Sequence, residues 1–154
     1  MNLRLGVPKE PENETRVGIV PSSMKKLLKA GFEVLVEKGA GVSANYSDAD
    51  YEAAGAKIVS RVDALACENI VCINFPGIEG ISENTNLACV ADPFRNPEYV
   101  RQCISSNITL MSMDMIPRRL SRAQSMDVNS SQDNLAGYKA CLLYTSPSPR
   151  DMPR

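Results

Sequence analysis

Histidine and tryptophan are absent from this 154-residue sequence. Without an imidazole there is neither a Ser-His-Asp relay nor a histidine acid–base at a keto acid, the usual proton carriers of hydrolases and of many dehydrogenases. Any reaction this chain serves is therefore expected to run without histidine proton transfer. The lack of histidine, with no cysteine pair at Cys-x-x-Cys spacing, also argues against a zinc site. The chain has no apolar run approaching the roughly 18–20 residues that cross a bilayer, and no direct membrane insertion is expected. A strand-like run, Leu3 to Val7, starts almost at Met1 and leaves no room for a signal or transit peptide.

Charge of one sign is missing too. Seventeen Lys+Arg balance eighteen Asp+Glu, and the basic residues form neither a stripe nor a long run. Nucleic acid is an unexpected partner on that ground. The five cysteines (Cys67, Cys72, Cys89, Cys103 and Cys141) are odd in number, unlike the even sets of small secreted disulfide scaffolds. Reduced packing thiols in a cytoplasmic protein are the expectation.

What is present is ordinary globular material, 44% hydrophobic and 23% charged, enough for one domain with a core. Short apolar runs alternate with helix-like segments. Leu3–Val7, Phe32–Val36, Ala56–Val59, Ile70–Ile73, Leu87–Val90 and Ile108–Ser112 read as strands. Ser22 or Ser23 is placed to cap a helix with the apolar face Met24, Leu27 and Leu28, ending near Gly31. Further helices are expected over Asp48–Ala54, Val62–Cys67 and about Pro97–Ile104. Strands separated by helices imply right-handed crossovers and a parallel sheet covered on both faces. The fold class is α/β, a three-layer parallel-sheet (flavodoxin- or Rossmann-like) subdomain. Pro117 to Asp127 reads as a polar, basic loop, and Ser130 to Ala140 as a helix capped by Ser130 or Ser131. From Cys141 the pattern breaks, and three prolines in the last eight residues forbid a helix there. Residues 1–140 are read as the domain and 141–154 as a non-native, adapter-like disordered tail.

Three segments carry possible chemistry. Gly39-Ala40-Gly41-Val42-Ser43-Ala44 fits GxGxxA after a strand, but the next helix starts at the Ser47 cap and no acidic residue ends the following strand. A plain turn is expected. Lys9, Glu10, Glu14 and Arg16 follow the first strand, at the carboxyl end where open α/β sheets gather ligands. A solvated loop with an Arg–Glu pair is the other reading. Arg118, Arg119 and Arg122 lie among hydroxyl, amide and carboxyl groups up to Tyr138, suited to a phosphate, ribose or carboxamide. Residue types alone equally allow an exposed basic linker.

Gly-Val-Pro-Lys-Glu followed by Asn-Glu-Thr-Arg-Val over 6–17, with Val-Glu-Lys-Gly-Ala-Gly at 36–41, resembles the amino-terminal signature shared by alanine dehydrogenases and NAD(P) transhydrogenase alpha subunits. Ser-Arg-Ala-Gln-Ser-Met-Asp at 121–127 and Ser-Ser-Gln-Asp-Asn-Leu-Ala-Gly-Tyr-Lys at 130–139 resemble the transhydrogenase branch. The resemblance covers about Leu3 to Ala140. Alanine dehydrogenase has a catalytic histidine where this chain reads Ala91-Asp92-Pro93-Phe94, and a substrate lysine near Ile70–Pro76, which has none. An alanine-dehydrogenase-like or saccharopine-type amino-acid dehydrogenase is therefore the enzymatic alternative, and a non-catalytic oligomerisation or binding domain the other.

The resemblance implies direct hydride transfer from NAD(H), held here, to NADP(H) on a partner domain. It also implies coupling to proton translocation through a membrane proton-channel subunit. It implies a homodimer of the NAD-binding domain, cytoplasmic and peripheral on the inner face of the cytoplasmic membrane through its complex. Gln124 would bridge the two nucleotides, and Asp127 would orient the loop and pair with Arg119. Ser130 and Asn134 would reach the nicotinamide end. Arg119 takes the family's arginine position counted back from Gln124, with Arg118 as the neighbouring alternative. The family's glycine-rich Rossmann segment would lie beyond Arg154, so the chain is read as cut before the second Rossmann subdomain and inactive alone.

Overall fold

The computed structural model describes residues 3–117, 119 and 121–144. The chain divides after Met113 into two units, 1–113 and 114–154. The first unit holds a six-stranded, all-parallel sheet in the order β3-β2-β1-β4-β5-β6. Its strands are β1 (Leu3–Val7), β2 (Phe32–Glu37), β3 (Lys57–Val59), β4 (Asn69–Asn74), β5 (Asn86–Val90) and β6 (Thr109–Ser112). The α/β class and the three layers expected from the sequence are present.

Side-chain alternation along β1 sets the layers. Leu5 and Val7 lie on one face with Val34 and Val36 of β2, and this face is packed by Met24 of α1 (Met24–Lys29) and Tyr51 of α2 (Asp48–Ala53). Tyr51 is completely buried, and its hydroxyl donates to the Ile19 carbonyl at 2.8 Å. Gly6 faces the other way, toward α3 (Arg61–Leu65). On that second face Ile70, Cys72, Leu87 and Cys89 form a core with Leu65 and with Cys103 of α4 (Pro97–Ser105).

Local chemistry explains most helix starts. Ser47 and Asp50 form a reciprocal capping box at α2, and Gly55 (φ 95°) ends it. Ser60 caps α3 through the Asp63 amide. The expected Ser22 or Ser23 cap is a correction: Pro21–Ser23 form a 3-10 turn and no side-chain cap bond is made. A proline at the first position of that turn already supplies the helical φ. Between β4 and β5 there is no helix, contrary to strict alternation; residues 75–85 form a connection with Gly77, Gly80 and Asn84 at positive φ.

In the second unit the expected loop contains the short helix α5 (Ser121–Gln124), with Ala123 buried. A longer helix, α6, runs Val128–Tyr144. It begins two residues before the sequence suggested and extends through Cys141-Leu142-Leu143-Tyr144, which the sequence pattern assigned to the tail. The three prolines used to stop it lie further on, beyond the described residues. Among the described residues no helix is long and apolar enough to cross a membrane.

Candidate functional site

In the first unit, polar chemistry collects at the carboxyl ends of β1 and β4. Glu10, in the loop after β1, is nearly buried and its carboxylate accepts from the Ile73 amide at 2.5 Å, the Asn74 amide at 3.0 Å and Asn74 Nδ2 at 3.2 Å. One side chain thus ties the first loop to the end of β4. Glu14 and Arg16 form the pair read from the sequence, with Arg16 Nη2 2.7 Å from Glu14 Oε2 and Nε 2.9 Å from Oε1. The Arg16 hydrogen bonds hold the Glu14 carboxyl at about 2, well below the ordinary carboxylate range, against the opposing effect of burial.

Glu37 at the end of β2 accepts from the Lys9 amide at 2.7 Å and from Arg61 Nη1 at 3.1 Å, and Arg61 Nη1 also donates to the Lys9 carbonyl at 3.2 Å. Lys9, Glu10, Pro11, Arg61, Asn74, Phe75 and Pro76 line a crevice of about 170 Å³. Sequence reasoning found the Lys9–Arg16 side of this cluster and missed Arg61, Glu37 and Asn74. Only the polar residue ending an apolar strand, Asn74, carried a signal in the sequence.

The loop after β5 holds Asp92 at φ 44°, braced by Asn96 Nδ2 to the Ala91 and Asp92 carbonyls, with Arg95 Nε 3.5 Å from the Asp92 carboxylate. It supplies no imidazole, and Asn74 rather than lysine ends β4. The Gly39–Ala44 segment is the plain turn expected, with Gly39 at φ 74° and a three-residue 3-10 turn after Gly41.

In the second unit, Asp127 is 3% exposed and stands at the start of α6. Its Oδ1 accepts from the Asn129 amide at 3.0 Å and its Oδ2 from the Ser130 hydroxyl at 2.5 Å. Asp127, rather than Ser130 or Ser131, is therefore the cap. Carboxylates are favoured there because they satisfy an orphan amide and complement the positive helix end. Asn129 Nδ2 donates to the Asp114 carbonyl at 3.4 Å. Asp127, Ser130 and Asn134 fall at i, i+3 and i+7, along one side of the helix. Gln124 is exposed at the end of α5, and Ser130 and Asn134 are exposed on α6.

Arg119 is exposed. Arg118 lies outside the described residues. The structure thus joins Asp127 with Ser130 and aligns Asn134 with them. Among the described residues no group of three His, Cys, Asp or Glu side chains is arranged to hold a metal.

The chain is 41% identical over 151 residues to an NAD(P) transhydrogenase subunit alpha protein of Rhodospirillum rubrum, covering 91% of this chain and 39% of that protein. It is 36% identical over 142 residues to the NAD(P) transhydrogenase subunit alpha of Haemophilus influenzae, covering 90% and 28%. The crystal structure of transhydrogenase from Sinorhizobium meliloti superimposes with a TM-score of 0.85 at 38% identity, covering 90% of this chain and 43% of that one. The chain thus spans less than half the length of each of these relatives. Over residues 6–136 it matches the alanine dehydrogenase/PNT N-terminal domain, and it belongs to that family.

Proposed function

We propose that this chain is the amino-terminal portion of the NAD(H)-binding domain of a proton-translocating NAD(P) transhydrogenase alpha subunit. In this reading residues 1–140 are the family domain and 141–154 a non-native tail. NADH bound by the domain gives hydride to NADP+ on a partner domain, and a membrane subunit couples the transfer to proton movement. The domain works as a homodimer, on the cytoplasmic side, attached to the membrane through its complex.

The observation that carries the reading is the start of α6. The Asp127 carboxylate is fixed by Asn129 and Ser130, and Ser130 and Asn134 share its side of the helix. Hydride passes between the nicotinamides themselves, so the protein needs to position the rings and exclude water. Exposed amide and hydroxyl groups fit that task, because they hydrogen-bond carboxamide and ribose groups without adding charge. Gln124 is the bridging amide and Arg119 the loop arginine. The absence of histidine agrees with a reaction that asks no proton of the protein.

The test is Gln124→Asn in the assembled enzyme. Shortening the amide by one methylene slows single-turnover hydride transfer at least about tenfold while NADH affinity changes less than about twofold. Equal losses in rate and affinity would refute the bridging role.

A further inference from the structure

The crevice at the ends of β1 and β4 lies where the strand order reverses, the switch point at which open parallel sheets place ligands. It lies within the first unit and uses none of the residues assigned above to the nicotinamides. Its carboxylates are already satisfied. Glu10 accepts from two backbone amides and Asn74, and Glu37 accepts from the Lys9 amide and Arg61. Its cations are not. Arg61 donates through Nη1 only, and its Nε and Nη2, like Lys9 Nζ, carry no hydrogen-bond partner among the described residues.

Spare capacity in the crevice is therefore donor capacity on positive groups, which calls for an anion. Glu10 and Glu37 offset the charges of the two cations, so the crevice offers free donors at no net charge, and a single negative charge suits it better than a double one. The walls are flat and apolar: Pro11, Pro76, and Phe75, whose ring is stacked on Tyr99 with centroids 4.2 Å apart and 14° between planes. That stack holds the Phe75 ring in place. The volume of about 170 Å³ equals roughly six water volumes, the size of one substituted ring.

We propose that this crevice binds a small aromatic monocarboxylate, with the carboxylate on Lys9 and Arg61 and the ring against Phe75. Benzoate is the probe, titrated into the 154-residue chain and followed by the NMR shifts of the Ile73, Asn74 and Phe75 amides. Acetate, benzamide and inorganic phosphate are the comparisons. Benzoate gives saturable shifts in the millimolar range, while acetate and benzamide, each lacking one half of the ligand, bind at least about tenfold more weakly. Lys9→Met removes only an exposed ammonium and weakens benzoate about tenfold, as does Arg61→Gln. Phe75→Leu brings benzoate down to the level of acetate. Three results overturn the proposal: no saturable benzoate shift, benzoate affinity unchanged in Lys9→Met, or phosphate binding more tightly than benzoate.

Discussion

The Ser130 hydroxyl donates to the Asp127 carboxylate at 2.5 Å while the Asn129 amide occupies the other carboxylate oxygen. The side chain that the transhydrogenase resemblance assigns to the cofactor thereby also starts the helix that carries Ser130 and Asn134. Asp127→Ala removes a cap worth about 1 kcal/mol, so amide exchange at Asn129 and Ser131 rises about fivefold. Asp127→Asn keeps a capping oxygen and leaves that exchange near the wild-type rate. If both variants exchanged alike, the cap would not be what holds this turn.

A second relationship governs the first unit. A Cβ placed on Gly6 would lie 1.9 Å from the Ala64 carbonyl oxygen and 3.2 Å from Cys67 Cβ. The nearest obstacle is backbone, which cannot swing aside as a flexible side chain would. Gly6→Ala must push α3 away from the centre of the sheet and costs about 3 kcal/mol or more in urea unfolding. Ala substitution at Gly77, where no atom lies within 4 Å of the new Cβ, meets only the strain of φ 81° and costs about 1 kcal/mol. Equal losses at the two positions would mean that α3 is not seated as described.

The same glycine shows which features of the fold were legible in the sequence. Gly6 reads only as a small residue in a strand, because the atom that makes it necessary belongs to Ala64, far along the chain. Strand positions were legible because apolar runs such as Ile70–Ile73 must be buried on both faces of a parallel sheet. Helix starts were legible where a serine met an acidic residue three places on, as at Ser47 and Asp50. They were misread at Ser22 and at Ser130, where Pro21 and Asp127 do the work. The crevice was half legible: Lys9 and Glu10 follow a strand and so point to its carboxyl end. Arg61 and Glu37 belong to elements that only the strand order brings beside them.

Acid should expose the Glu14–Arg16 pair. Glu14 ionises at about 2 in the folded chain, below the ordinary 4.5. A depressed carboxyl adds stability above its unfolded value and loses it as pH falls toward the folded one. The contribution of the pair is therefore complete above pH 4.5 and disappears between 4.5 and about 2. Arg16→Met removes the side-chain hydrogen bonds that are the largest cause of the depression and leaves the Arg16 amide on Glu14 Oε1 at 2.9 Å. The Glu14 carboxyl carbon, followed by NMR, then titrates closer to the ordinary value, and the acid midpoint of unfolding moves to higher pH. A Glu14 titration that stayed near 2 in that variant would assign the depression to the Arg16 backbone amide, 2.9 Å from Glu14 Oε1, and to the Asn74 amide, which approaches Oε2 at 3.3 Å.

The cysteines differ sharply in what they expose to solvent. Cys67, Cys72, Cys89 and Cys103 are buried, whereas Cys141 is exposed on α6. Hydrogen bonding to the Cys89 thiol and burial push the Cys72 thiol up, and burial does the same at Cys67 and Cys103. Thiolate is the reactive form, so both access and ionisation oppose attack at these sites. Iodoacetamide at neutral pH labels Cys141 first, and the other four follow only as the chain unfolds, with rates that rise together in urea. Intact-mass spectra would show one adduct forming well before the rest. Early labelling at Cys72 or Cys89 would show that the second face of the sheet opens without global unfolding, because those two thiols lie on neighbouring central strands beneath α3 and α4.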